Sequence, residues 1–492
     1  MPNSRFRITA LLLFFTILSG LPATCLIAQS GRNASVSDII GQSEANSAFW
    51  SISVKSANGE SLVSYNSRKS IQPASNQKLF TSAAILNYLG PDFTYKTKLL
   101  AKGGQQNDIW NGDMIFIGSG DPTISGEFYQ GDRWEVFERF KDALKERGIT
   151  EIRGDLVADL SYFDKEPYPE GWSWNDLSFY YAVELSPLSF NNNCVDLTVR
   201  AEARPGNKPN ISWFPYNTDY VTFLNKQTIR AASTKYDEYY RRKLGDNTII
   251  LKSKLPQGYV EKECLSVHEP GLFFLETFQS YIRKHGIEFG GVLTRRYDHG
   301  LIKNEQRRGT TIYTYESPPL DSLLKRILTH SDNFYTEMLL KTVAAEEKGT
   351  PGSTENGIEL VRSYVSDIGI DTTNLVMNDG SGMAAGNFSS VQQLSELLLN
   401  MKQETDYKLF RNSLSVAGVN GTLKYRLRNS PLENNFRGKS GYISGVHTLT
   451  GYMNSNNGKE LIVSIAANNA TSKDEKVRKV QRELLEWFYY NL

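Results

Sequence analysis

Ser75 and Lys78 stand three residues apart at the mouth of an apolar run, Pro73-Ala74-Ser75-Asn76-Gln77-Lys78-Leu79-Phe80-Thr81-Ser82-Ala83-Ala84. Leu79, Ala83 and Leu86 recur at helical spacing and Gly90-Pro91 ends the run, so the pattern predicts a buried helix over 75–89. Positions three apart share a helix face, which lets Lys78 aim its amine at the serine oxygen. A serine in a first turn also meets unpartnered N–H groups and the positive end of the helix dipole, both favourable to an oxyanion. The pair therefore reads as a nucleophile with its base built in. Ser322-Leu323-Leu324-Lys325 repeats the S-x-x-K spacing. It is expected to lie more than a turn beyond a helix start at Ser317-Pro318-Pro319, where its amides are already committed to helix bonds.

Around that helix the chain divides unevenly. A polar stretch to about Ala45 reads as unstructured, and alternating segments 48–54 and 61–65 about Asn58-Gly59 predict a hairpin. Residues 98–296 carry many short strand-like runs and turn signals and read as inserted material. Helical spacing is found at 272–285, 320–328 and 333–347; 443–452 and 461–467 read as adjacent strands; and a terminal helix over 474–489 turns Val477, Val480, Leu484 and Trp487 inward. A chain of 492 residues implies more than one folded unit.

Residues 1–29 combine Arg5 and Arg7, an apolar run over 8–21 and small residues at Ala23, Thr24 and Ala28, the pattern of a secretory signal peptide. The run is short for a membrane span, and Cys25 follows a poor match to the small-residue signal for lipid attachment. An exported protein of the periplasm or cell envelope is expected, with no transmembrane anchor after cleavage and room for peripheral membrane association. Cys194 and Cys264 would then sit in a compartment that permits a disulfide, and either a bridge or two buried thiols fits. With 55 basic and 54 acidic residues there is no field to draw nucleic acid. Five histidines, none in an H-x-x-x-H spacing, point away from zinc, and no cofactor is expected.

Two further triplets supply what Ser75 would need. Ser331-Asp332-Asn333 falls between two helical stretches, where a hydroxyl can pass a proton and an amide can hold a substrate amide. Lys439-Ser440-Gly441 opens a strand-like run, whose glycine lets a substrate backbone lie close to the strand edge. The order S-x-x-K, S-x-N, K-[ST]-G is that of the penicillin-recognising serine enzymes. Together with Gly120-Asp121-Pro122-Thr123, Gly154-Asp155-Leu156-Val157, Asn191-Asn192-Asn193-Cys194-Val195, Asn378-Asp379-Gly380-Ser381-Gly382-Met383 and the run from Lys439 to Tyr452, the chain resembles the D-alanyl-D-alanine carboxypeptidase/endopeptidase family of class C, low-molecular-mass penicillin-binding proteins.

The resemblance implies an α/β (α+β) fold: a penicillin-binding, β-lactamase-like transpeptidase domain with an antiparallel sheet flanked by helices, formed by 30–97 plus 297–492. It also implies that the inserted, mainly-β region 98–296 holds two small domains. Peptidoglycan peptides would be the substrates and β-lactams the inhibitors. On the matching positions, Lys78 would take the Ser75 proton, Ser331 would relay it to the leaving amine, and Asn333 would position the peptide. Lys439 and Ser440 would bind the terminal carboxylate, Gly441 would line the edge strand, and the Ser75 and Tyr442 N–H groups would receive the oxyanion. An ordinary lysine has a pKa of about 10.4, so Lys78 must be tuned, and burial together with the charge of Lys439 is expected to do it. Tyr442 departs from the family pattern by putting bulk where a small hydroxyl residue is usual, which bears on substrate fit. A peptidoglycan-binding scaffold of the same fold, or a β-lactamase or esterase, is the alternative.

Overall fold

The computed structural model describes residues 35–216, 218–298 and 309–492; the expected signal peptide lies outside them. The hairpin ahead of Ser75 forms from strands Phe49–Ser56 and Ser61–Tyr65, with Val54 opposite Val63. Its first strand pairs along its whole length with Glu460–Asn468, Trp50 opposite Ala467. A six-stranded antiparallel sheet results, in the order 415–416, 437–443, 446–454, 460–468, 49–56, 61–65. One sheet thus contains both ends of the described chain, and everything between 66 and 414 leaves it and returns.

The strand expected over 443–452 begins at Val446 and pairs with Glu460–Asn468 as expected, while residues 443–445 belong to the end of a preceding strand and its turn. Arg437–Ile443 and Val446–Asn454 are joined by a tight turn at Ser444-Gly445, where Gly445 has φ +73°, a conformation open to glycine without steric cost. Lys439 therefore belongs to its own strand, opposite Thr450. The polar stretch before Ala45 is also corrected: Val36–Gly41 is a helix. Ser35 and Asp38 close a capping box at its start, and Ile40 is buried in the core beneath it.

Both faces of this sheet are covered, which is why its strands read as nearly unbroken apolar runs. Leu461, Val463 and Ile465 face Trp50, Ile52 and Val54 and the terminal helix Asp474–Asn491. That helix buries Val477, Val480 and Leu484 as the spacing predicts, but turns Leu485 and Phe488 inward while Trp487 stays partly exposed. On the opposite face lies the helix Gln77–Leu89, ten of whose residues are buried. A helix apolar on every side is a central one, and helices Leu320–His330, Asn333–Lys348, Thr354–Asp367 and Val391–Met401 pack around it.

The middle of the chain builds separate sheets. Strand Lys96–Gln106 pairs with Ile109–Ile117, Leu99 opposite Phe116, and with Thr310–Glu316, Lys96 opposite Glu316. The resulting seven-stranded sheet therefore draws its closing strand from beyond residue 296. Helices Glu135–Glu146 and Pro270–Lys284 cover it, and Phe116 meets Phe140, Phe274 and Phe278 edge-on at 5.0, 4.9 and 4.8 Å. Smaller sheets of three strands follow, one from 194–200, 210–214 and 260–266, another from 222–225, 240–242 and 248–251. Cys194 and Cys264 lie on neighbouring strands, Cys194 opposite Ser266 and Cys264 opposite Asp196, and both are free thiols. Among the described residues no helix is long and apolar enough to cross a membrane.

Candidate active site

Ser75 sits not in the α-helix but in a 3-10 turn, Ala74–Asn76, that leads into it. Two strand residues hold this turn in place. Thr448 Oγ1 donates to the Pro73 carbonyl at 2.8 Å, and Asn76 Nδ2 donates to Thr450 Oγ1 at 2.8 Å. Ala74 has φ +45°, an uncommon conformation for a residue with a side chain, maintained by those anchors. Two glycines make the approach possible. A Cβ on Gly441 would stand 2.9 Å from Ser75 N and would collide with Thr448 Oγ1; one on Gly382 would collide with the Ala74 carbonyl. The glycine of the K-S-G triplet thus makes room first for the protein's own serine turn.

Lys78 is fully buried, and its Nζ contacts three acceptors: Ser75 Oγ at 3.2 Å, Asn333 Oδ1 at 2.7 Å and the Ser381 carbonyl at 2.7 Å. Burial lowers the pKa of this amine to about 8, against the opposing pull of Asp379, Glu337 and Asp332. The charge of Lys439, expected to help lower Lys78, is not among the causes of that shift; the influence is seen on Lys439 instead. Lys439 is fully buried against Ser331 Oγ (2.8 Å) and the Ser440 carbonyl (2.7 Å), and burial first, then the charge of Lys78, pushes it well below an ordinary lysine. Two buried amines in one crevice do not both hold a proton easily.

Ser331 and Asn333 reach this crevice from a break between helices. Ser331 ends helix Leu320–His330 in the left-handed region, φ +64°, and Asp332 caps the next helix by accepting from Tyr335 N at 3.2 Å. Asn333, the first residue of that helix, accepts from Lys78 and donates Nδ2 to the Tyr181 carbonyl at 2.9 Å, so both ends of its amide are held by the protein. Ser440 donates to Thr422 Oγ1 at 2.8 Å. Tyr442 is exposed, with its ring 5.1 Å from that of His447. Adjacent strand residues point to opposite faces, so with Gly441 directed at Ser75, the bulk of Tyr442 projects away from the serine.

The structure brings Ser75, Lys78, Ser331, Asn333, Lys439 and Gly441 together, with Ser440 at the rim and Tyr442 turned outward. Other residues of the site were given no role by the sequence. Asp379, with no exposed surface, accepts from the amides of Gly382, Met383 and Ala384, from Asn387 Nδ2 and from Trp172 Nε1, all between 2.7 and 2.9 Å. It shapes the loop that carries the Ser381 carbonyl. The signal was the Asp379-Gly380-Ser381-Gly382 string itself, which reads as a tight turn closed by an acidic residue. Thr448 lies in the quoted run from Lys439 to Tyr452, whereas Thr422 and Tyr181 had no signal. The second S-x-x-K is not part of the site: Ser322 lies in the first turn of its helix, closer to the start than expected, but donates to Asp321 at 2.9 Å while Lys325 is exposed. Among the described residues no group of three His, Cys, Asp or Glu side chains is placed to hold a metal ion.

The chain is 30% identical over 433 residues to a D-alanyl-D-alanine carboxypeptidase of Actinomadura sp. strain R39, an alignment spanning 84% of this chain and 76% of that one. The crystal structure of penicillin binding protein 4 from Haemophilus influenzae superposes with a TM-score of 0.82 at 26% identity, covering 93% of this chain and 100% of the other. A second structure of that protein, complexed with a β-lactam, gives a TM-score of 0.76 at 24% identity over the same shares. The fold is the penicillin-binding, β-lactamase-like one. The match of residues 32–488 to a single family profile, over a chain whose serine, lysines and asparagine meet in one crevice, shows that this protein belongs to the D-Ala-D-Ala carboxypeptidase 3 (S13) family.

Proposed function

We propose that this chain is an exported serine-type D-Ala-D-Ala carboxypeptidase and endopeptidase that cuts peptidoglycan stem peptides and cross-links through an acyl-Ser75 intermediate, and that β-lactams acylate the same serine. The observation that carries this reading is the contact set of Lys78 Nζ. As a neutral amine it keeps two N–H bonds, and Asn333 Oδ1 and the Ser381 carbonyl are the two closer acceptors. Its lone pair is then left for the Ser75 hydroxyl proton.

In this mechanism Lys78 takes that proton as Ser75 Oγ bonds to the carbonyl carbon of the penultimate D-alanine, and the Ser75 and Tyr442 N–H groups receive the oxyanion. Collapse of the tetrahedral intermediate breaks the C–N bond, and the leaving amine collects a proton relayed through Ser331. Lys439 and Ser440 bind the terminal carboxylate, Asn333 and Gly441 set the peptide against the strand edge, and water releases the acyl group. The name of the Actinomadura relative and the β-lactam bound by the Haemophilus protein support the assignment. Residues 1–29 would be the signal peptide, 30–97 with 297–492 the catalytic unit, and 98–296 the accessory region, whose sheet borrows Thr310–Glu316.

The test is incubation with a peptide ending in D-Ala-D-Ala, beside labelling with a tagged penicillin. The parent is expected to release D-alanine and take the label, and Ser75→Ala to do neither. Labelling without D-alanine release would replace the peptidase with a binding or scaffolding protein, and equal labelling of Ser75→Ala would end the proposal.

A further inference from the structure

One buried carboxylate beside the crevice has no part in the mechanism above. Glu337 lies one turn into helix Asn333–Lys348, with no exposed surface. Its two oxygens accept from Gly380 N at 3.1 Å each, and Oε1 accepts from Ser381 N at 2.7 Å. The peptide between these amides is gripped from its other side as well, because Thr81 Oγ1, one turn beyond Lys78, donates to the Gly380 carbonyl at 2.7 Å. The next carbonyl along the loop, that of Ser381, is the one Lys78 uses. A carboxyl group sealed from water is costly unless it works as an acceptor, and this one spends its acceptor capacity on the loop that fixes the base.

We propose that Glu337 is a positioning residue for Lys78: through the Gly380 and Ser381 amides it presents the Ser381 carbonyl to Nζ. The inference rests on the reading of Lys78 as base. Charged groups approach this pair from every side: Asp379 from the loop, Asp332 from the cap of Glu337's helix, Lys341 from the helix itself, and Lys439 from the edge strand. Lys341 is held by Asp164 at 2.6 Å, and Asp379 is saturated by five donors. Burial and the neighbouring charge of Asp379 raise the Glu337 carboxyl above its ordinary range. When ionised, Glu337 favours the charged, inactive amine, as Asp379 does.

Removing the negative charge while keeping an acceptor, in Glu337→Gln, leaves burial unopposed by that carboxylate, so Lys78 loses its proton at lower pH. The rate of acylation of the full chain by a labelled penicillin, followed against pH, is expected to show its acid limb about one unit lower than the parent. Glu337→Asp keeps the charge but withdraws it by one methylene, so it should hold the limb in place and slow acylation at every pH. A folded Glu337→Gln protein with the parent's limb would overturn the proposal, and so would Glu337→Asp acylating at the parent's rate. Should the parent resist penicillin, or Ser75→Ala accept it, the reading of Ser75 and Lys78 fails instead.

Discussion

Lys78 has three acceptors around it and, once neutral, only two protons to give them. On the proposed reading that shortfall leaves the lone pair to Ser75 and makes the amine's own protonation the switch for acylation. Acylation by a labelled penicillin should therefore climb through an acid limb centred near pH 8, since the active form lies above the pKa of about 8; a rate flat from pH 6 to 9 would contradict it. Lys439 should behave in the opposite sense. It is a buried amine that faces Ser331 Oγ and the Ser440 carbonyl, with no carboxylate paired to it among the described residues, and burial and the charge of Lys78 hold it well below the ordinary lysine range. The carboxylate of a bound β-lactam would supply a counter-charge, so binding to Ser75→Ala should take up a proton. Calorimetry in two buffers of different ionisation enthalpy measures that uptake, and its absence would show Lys439 already charged.

Two elements, rather than two residues, set the distances in the site. The 3-10 turn of Ser75 is wedged between the loop 379–384 and the edge strand at positions where only glycine fits, Gly382 and Gly441. Gly382→Ala would also strain a φ of +83°, so it should cost about 1–3 kcal/mol in denaturant titration and lose acylation out of proportion to that cost, because the serine turn has to move. The break between helices Leu320–His330 and Asn333–Lys348 is the second. Asp332 caps the latter and pairs with Arg326 at 3.0 Å, and Arg326 in turn meets Glu127 of the middle region at 3.0 Å. Asp332→Ala should lower stability by about 1 kcal/mol and slow acylation, since Ser331 and Asn333 flank the cap. Such elements were legible in part. The nucleophile helix, the hairpin and the terminal helix stand out because their apolar spacing is long and regular, whereas the turn at Ser444-Gly445 interrupts an apolar run without breaking its composition. Helices Thr354–Asp367 and Val391–Met401 went unread although Ser353 and Ser390 cap them.

At the scale of the molecule, the middle region is stitched to the catalytic crevice by single polar contacts: Trp172 Nε1 to Asp379 at 2.9 Å, Asn333 Nδ2 to the Tyr181 carbonyl at 2.9 Å, and Lys341 to Asp164 at 2.6 Å. Trp172→Phe removes one donor from a buried carboxylate, a bond worth about 1.5–3 kcal/mol, and should slow acylation while leaving the protein folded by circular dichroism. An unchanged rate would mean the middle region is a passenger. What the sequence determined alone was chemistry and order: a serine and lysine one turn apart at a helix mouth, two companion triplets, and strands at both ends with apolar content enough for a two-sided sheet. These are local, because they depend on spacing along the chain and on side-chain type. The convergence itself was decided by tertiary structure. Pairing of Phe49–Ser56 with Glu460–Asn468 brings the two ends of the described chain together, and the acceptors of Lys78 come from residues 75, 333 and 381. The pKa of a buried amine depends on which carboxylates the fold seals in beside it, so Glu337 and Asp379 acquire their influence only when the chain has closed over them.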